Sequence, residues 1–202
     1  MEELRAKFGG EEVDQEKAKT PSLIEEGLYL GNGKQASDEE FLVNRLGITH
    51  ILSIIETGDN YNYNRAVTKS TPGAMDVHYQ TIVRKQCDVE DSTTTKVRQY
   101  FDECFDFVDS ARNSGGKVLI HCASGCSRSP TITIAFESHH LALPPLMLFP
   151  TRYLMKKHGW SVDRTLAFVQ ERRKQANPNR TFLSQLRDFE NELLAGASDR
   201  TD

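Results

Sequence analysis

The chain has 202 residues, enough for one domain with a full hydrophobic core and little left for a second. With 38% hydrophobic residues, 27% charged residues and a net charge of −4, it lacks the basic surface that nucleic acid or an anionic membrane would favour. No apolar stretch is long enough to span a bilayer, and Cys87, Cys104, Cys122 and Cys126 have neither zinc-type spacing nor a disulfide-scaffold context, which fits a reducing, intracellular setting in the cytoplasm or nucleus.

Residues 1–20 are polar and charged around Gly9-Gly10, which predicts a flexible tail rather than a signal segment. "GLYLGN" (27–32) reads as a short strand running into a turn. "SDEEFLVNRLG" carries a capping box, with Ser37 at the cap, Glu40 three positions on and Gly47 closing the helix. "ITHILSII" (48–55) is a buried strand by its β-branched content, and "VHYQTIV" (77–83) alternates like another, with a polar loop between them. From Lys96 to Asn113 the residues Val97, Phe101, Cys104, Phe105 and Val108 recur at helical spacing, and Gly115-Gly116 ends the pattern. "KVLIH" (117–121) is a short, fully buried strand, and amphipathic helices come next at about 161–176 and 181–194, with a flexible tail at 195–202. Strands alternating with helices predict a single α/β domain with a central mixed or parallel sheet flanked by helices.

In an open α/β sheet, ligands bind beyond the carboxyl ends of the strands, near helix N-termini. The segment 122–128 stands at that place. Ala123, Ser124, Gly125, Cys126 and Ser127 are small, so backbone N–H groups there can turn inward around an anion. Arg128 adds a planar donor pair suited to phosphate oxygens. Those amides, the helix dipole and Arg128 together favour Cys122 as a thiolate, the form that nucleophilic attack requires. A proton for the leaving group must come from another loop at this end of the sheet, and "CDVEDSTTT" offers Asp88, Glu90 and Asp91. Residue chemistry alone does not choose among the three.

"HCASGCSRS" fits His-Cys-x-x-Gly-x-x-Arg-Ser, and the chain thereby resembles the cysteine-dependent protein tyrosine phosphatases. "LYLGN", "LGITHIL", "YFDECFDFVDSA" and "NPNRTFLSQLRDFE" look like blocks of the dual-specificity subfamily, so that the resemblance spans 21–194 as a catalytic domain. It implies that Cys122 forms a phosphocysteine intermediate, that Arg128 binds the phosphoryl oxygens, that Ser129 assists breakdown of the intermediate and that His121 orients the loop. The family's acid lies a fixed distance before a Tyr-Phe pair, and matching Tyr100-Phe101 selects Asp91. The resemblance implies neither metal nor cofactor, since the arginine and amides neutralise the phosphate. It implies a phosphoprotein substrate carrying phosphotyrosine, phosphoserine or phosphothreonine; the uncharged positions 123, 124, 126 and 127 weigh against polyanionic lipid or RNA substrates. Oligomeric state has no signature in the sequence. Cys126, Cys87 and Cys104 are each candidates to shield Cys122 as a disulfide after oxidation, although a small loop-filling side chain is the better account of Cys126.

One stretch departs from the family pattern. Removing 136–152 ("FESHHLALPPLMLFPTR") joins "TITIA" (131–135) to "YLMKKHGW" and restores one amphipathic helix, with Phe136 an alternative match for Tyr153. Pro144, Pro145 and Pro150 cannot sit comfortably inside a helix. The expectation is therefore a helix that breaks near Ala135. Two further readings stay open: an impaired or purely phosphate-binding form of the family, and a lipid or carbohydrate phosphatase.

Overall fold

The computed structural model describes residues 19–57, 82–142 and 160–198. A hairpin of β1 (Ser22–Glu25) and β2 (Leu28–Asn32) turns at Gly27, whose φ of 77° favours glycine. β3 (His50–Ile55), β4 (Val83–Asp88) and β5 (Val118–Cys122) complete a mixed sheet of order β1-β2-β5-β3-β4, in which all pairs but β1–β2 are parallel. β5 is central and buried at all five residues, which explains its apolar run Val118–Ile120. Its register sets Asn32 opposite Cys122, so the cysteine closes the carboxyl end of the middle strand.

Four helices pack on one face: α3 (Phe101–Asn113), α4 (Arg128–Ala142), α5 (Val162–Arg172) and α6 (Arg180–Ser198). Phe101, Phe105, Phe136, Phe182 and Phe189 from these helices meet Leu30, Leu52, Ile54 and Ile120 of the sheet. Aromatic contacts knit the layer, Phe101 lying edge-on to Phe189 at 5.2 Å and Phe105 lying 5.8 Å from Phe136. On the other face Ala36, Leu42 and Ile48 cover Ile51 and Leu119, as the two-residue alternation of β3 and β5 requires.

The predicted helix at 37–47 is replaced by α1 (Gly33–Ala36), α2 (Glu39–Phe41) and a π-turn over Leu42–Leu46. Asn32 captures the first turn: its Oδ1 accepts from Gln35 N at 2.9 Å while Gln35 Oε1 accepts from Asn32 N at 3.0 Å. Ser37 then falls at the end of α1, donating to the Lys34 carbonyl, and Asp38 caps α2 instead. Gly47 closes the segment as expected, with φ of 69°.

The predicted strand at 77–83 lies almost wholly outside the described residues. The strand observed is β4, an edge strand in which only Cys87 is buried, so "VRKQCD" shows little apolar alternation. β1 escaped prediction for the same reason, since only Ile24 of it is buried.

α4 does not break at Ala135 but continues through Ala142. Phe136, at 1% exposure, is part of the core, and the prolines begin only at position 144. Residues 143–159, with those prolines and the predicted resumption at Tyr153, lie outside the described residues. α6 runs through Ser198, so 195–198 are helical where a tail was expected; 1–18 and 199–202 lie outside the described residues.

Candidate active site

The end of β5, the loop 123–127 and the first turn of α4 surround one sulfur atom. Cys122 is fully buried, and its Sγ accepts hydrogen bonds from the Gly125 amide and from Ser129 Oγ, each at 3.2 Å. Gly125 adopts φ of +70°, the left-handed turn that brings its N–H back toward the sulfur. The loop has no room for a larger residue there: a Cβ would come within 2.4 Å of the Gly31 carbonyl oxygen. Ala123 anchors the loop to α1 by accepting from Gly33 N at 3.1 Å.

Arg128 opens α4, is 6% exposed and donates from Nη1 to the Val89 carbonyl at 3.1 Å. Its Nε stands 3.9 Å from Asp91 Oδ2. The three carboxylates of the neighbouring loop separate clearly. Asp91 reaches the cradle, its Oδ1 accepting from Ser127 Oγ at 2.7 Å. Asp88 is tied to the Thr57 amide and hydroxyl, and Glu90 is exposed on a cavity wall shared with Glu56 and Tyr100.

His121 is buried behind the loop, where desolvation, together with the nearby Arg84 and Arg128 charges, holds its pKa at about 4. It is therefore neutral near pH 7, with one ring N–H to give. The Cys122 carbonyl, 3.4 Å from Nδ1, can only accept, so Nδ1 carries the proton and Nε2 accepts from Ser53 Oγ at 2.7 Å.

The remaining cysteines have partners of their own. Cys87 and Cys104 lie 3.6 Å apart in the core, where the hydrogen bond between them and burial push the Cys104 thiol up. Cys126 Sγ donates to the Ser124 carbonyl at 3.7 Å.

Sequence reasoning missed two residues that grip the cradle. Arg173, 5% exposed at the end of α5, donates to the carbonyls of Gly125 (2.8 Å) and Ser124 (3.4 Å), and burial lowers its pKa. Asn179, just before α6, donates from Nδ2 to Asp91 Oδ1 at 3.0 Å. An Asn-Pro-Asn ahead of an apolar helical stripe marks a helix start, but nothing local says where the Asn179 amide reaches.

A family model for the catalytic domain of dual specificity phosphatases matches residues 28–139. The chain is 35% identical to dual specificity protein phosphatase 1B of Arabidopsis thaliana, over 98% of this chain and 100% of the relative. It is 36% identical to dual specificity protein phosphatase 1 of the same plant, over 86% of this chain and 70% of the relative. Among solved structures it is similar to the human tyrosine phosphatase-like serine/threonine/tyrosine-interacting protein, with a TM-score of 0.63 and 27% identity over 86% of this chain and 97% of that one. It is likewise similar to DUSP15, with a TM-score of 0.60 and 27% identity over 90% of this chain and 97% of that one.

Proposed function

This chain belongs to the dual-specificity phosphatase family, and from that premise we propose that it is a cysteine-dependent protein phosphatase whose catalytic domain spans 21–194, hydrolysing phosphotyrosine and phosphoserine or phosphothreonine. The Cys122 sulfur attacks phosphorus, and the bond to the leaving oxygen breaks as Asp91 gives that oxygen a proton. The loop amides and the Arg128 guanidinium take up charge on the phosphoryl oxygens in the transition state. Asp91, now a carboxylate, then draws a proton from water, whose oxygen attacks the phosphocysteine and releases phosphate and the thiolate. Ser129 donates to that departing sulfur, and His121 keeps the loop in register from behind.

The observation that carries this reading is the pair of donors on Cys122 Sγ. A core cysteine filling space needs no such donors, whereas a thiolate does. Asp91 is the carboxylate of its loop bonded to the cradle. The unbroken start of α4 favours turnover over phosphate binding alone. The four cysteines carry free thiols, which supports an intracellular setting. No described helix is long and apolar enough to cross a membrane.

The test is hydrolysis of phosphotyrosine and phosphothreonine peptides beside an inositol phospholipid. Turnover of the peptides that Cys122→Ser abolishes while the variant still binds them is expected. Lipid turnover without peptide turnover, or activity surviving in Cys122→Ser, would overturn the reading.

A further inference from the structure

We propose that Asn179 is a positioning residue for the acid, fixing which oxygen of Asp91 holds the proton; this rests on the role given to Asp91 above. Asn179 is immobilised at every polar group. Its Oδ1 accepts from Phe182 N at 2.9 Å and its carbonyl accepts from Leu183 N at 3.0 Å, which makes it the N-cap of α6. Its backbone N–H donates to Ser127 Oγ at 3.2 Å, and its Nδ2 donates to Asp91 Oδ1 at 3.0 Å and to the Ser92 carbonyl at 3.5 Å. Ser127 Oγ in turn donates to the same Asp91 oxygen at 2.7 Å, closing a triangle of three residues from three separate segments, its Asn179–Ser127 edge made by the Asn179 backbone. Two residues earlier, the Asn177 amide donates to the Cys126 carbonyl at 2.6 Å, so the strap 177–179 lies along the cradle itself.

The placement of the donors decides the chemistry. Asp91 Oδ1 receives both donors, so in the protonated acid this oxygen keeps the acceptor role of the carbonyl oxygen. The proton to be donated is thereby left to Oδ2, which stands 3.9 Å from Nε of Arg128, the residue assigned to the phosphoryl oxygens. Without the Asn179 amide, a side chain that is one-third exposed would be held by the Ser127 hydroxyl alone, with more freedom to turn its two oxygens toward solvent. The donation to the leaving group would then be made from the productive geometry only part of the time.

Asn179→Ser separates this role from the capping role, because serine caps a helix about as well but is too short to reach Asp91. The experiment measures kcat/KM of the full chain on aryl phosphates whose leaving phenols range from strongly to weakly acidic. Asp91→Asn serves as the reference, with a loss of about 10²–10⁴ on the weakly acidic phenols. Asn179→Ser is expected to lose about tenfold on those same esters, the worth of one hydrogen bond. It should keep the wild-type rate on the most acidic phenol, with KM unchanged. A loss equal across the series, or none at all, would overturn the proposal. If Asp91→Asn shows no dependence on the leaving group, the assignment of the acid fails first and this proposal with it.

Discussion

Replacing Gly125 by alanine should disable the cradle and weaken the fold together, and the two costs can be separated by a second glycine. Gly125 sits at φ +70°, where an L-residue costs about 1–2 kcal/mol. Its new Cβ would meet Arg173 Nη2 at 2.2 Å and the backbone of Gly31 at 2.4 Å (oxygen) and 2.9 Å (carbon). Arg173 can retreat only by abandoning its bonds to Ser124 and Gly125, and Gly31 lies within β2, so neither yields cheaply. Overpacking of this kind adds about 1–3 kcal/mol, for a total of about 2–5 kcal/mol. Gly115 has the same hand, φ +77°, with nothing within 4 Å of its Cβ, so Gly115→Ala carries the conformational cost alone. For a urea m-value of about 2 kcal/mol/M, the midpoint should fall about 0.5–1 M in Gly115→Ala and about 1–2.5 M in Gly125→Ala. Aryl phosphate turnover should survive in the first. In the second it should fall at least about tenfold as the Gly125 amide leaves the sulfur. Equal midpoints with retained turnover in Gly125→Ala would refute the steric argument.

Between pH 6.5 and about 4 the unfolded chain takes up a proton that buried His121 refuses, so stability is full above about pH 6.5 and drains as pH falls, by on the order of 3 kcal/mol. Urea midpoints at pH 7 and 4.5 should therefore converge more in His121→Asn than in the wild type; parallel slopes would show that His121 titrates normally. Ser129→Ala removes one donor from Cys122 Sγ, worth about 1.5–3 kcal/mol when the sulfur leaves as thiolate. Its kcat should fall about 10- to 100-fold with a burst of phenol equal to the enzyme, and a uniform loss without a burst counts against its role in the second step. Phe136→Ala should cost about 3–5 kcal/mol by chemical denaturation, because the ring is fully packed against Phe105. A cost under about 1 kcal/mol would mean that α4 ends before it.

How far the sequence can be read depends on how local each cause is. β5 and its loop are legible because a strand buried on both faces is mostly apolar, here Val118–Ile120, and a run of small residues after it has few other uses. β4 is not, because an edge strand in which only Cys87 is buried carries no period to detect. The helix expected at Ser37 fails through competition, since Asn32 makes the better-placed cap a few residues earlier and shifts the helical turns after it. α4 looks broken in the sequence because the departure from the family aligns at position 136, whereas residues 136–142 are ordinary helix formers and the first proline lies beyond them. Only the family's spacing singles out Asp91. Arg173 and Asn179 are silent because their partners lie 48 or more positions away, across the fold.

These long-range bonds change what the signature itself means. In the sequence, Ser127 counts as one of several small residues that let backbone amides crowd around a phosphate. Its hydroxyl in fact donates to Asp91 and accepts from Asn179, so the cradle and the acid loop share one atom. Arg128 makes a second link, since its Nη1 is held by Val89, two residues before Asp91. The residues proposed to bind phosphate are thus the same ones that hold Asp91, the proposed proton donor, in place. Substitutions at 127, 128 and 179 should then not act independently of substitutions at 91, and their combined effects should fall short of the sum. A cysteine signature alone specifies a pocket for an anion. The proposed acid, Asp91, is brought to that pocket by the contacts that the signature's serine and arginine make outside it.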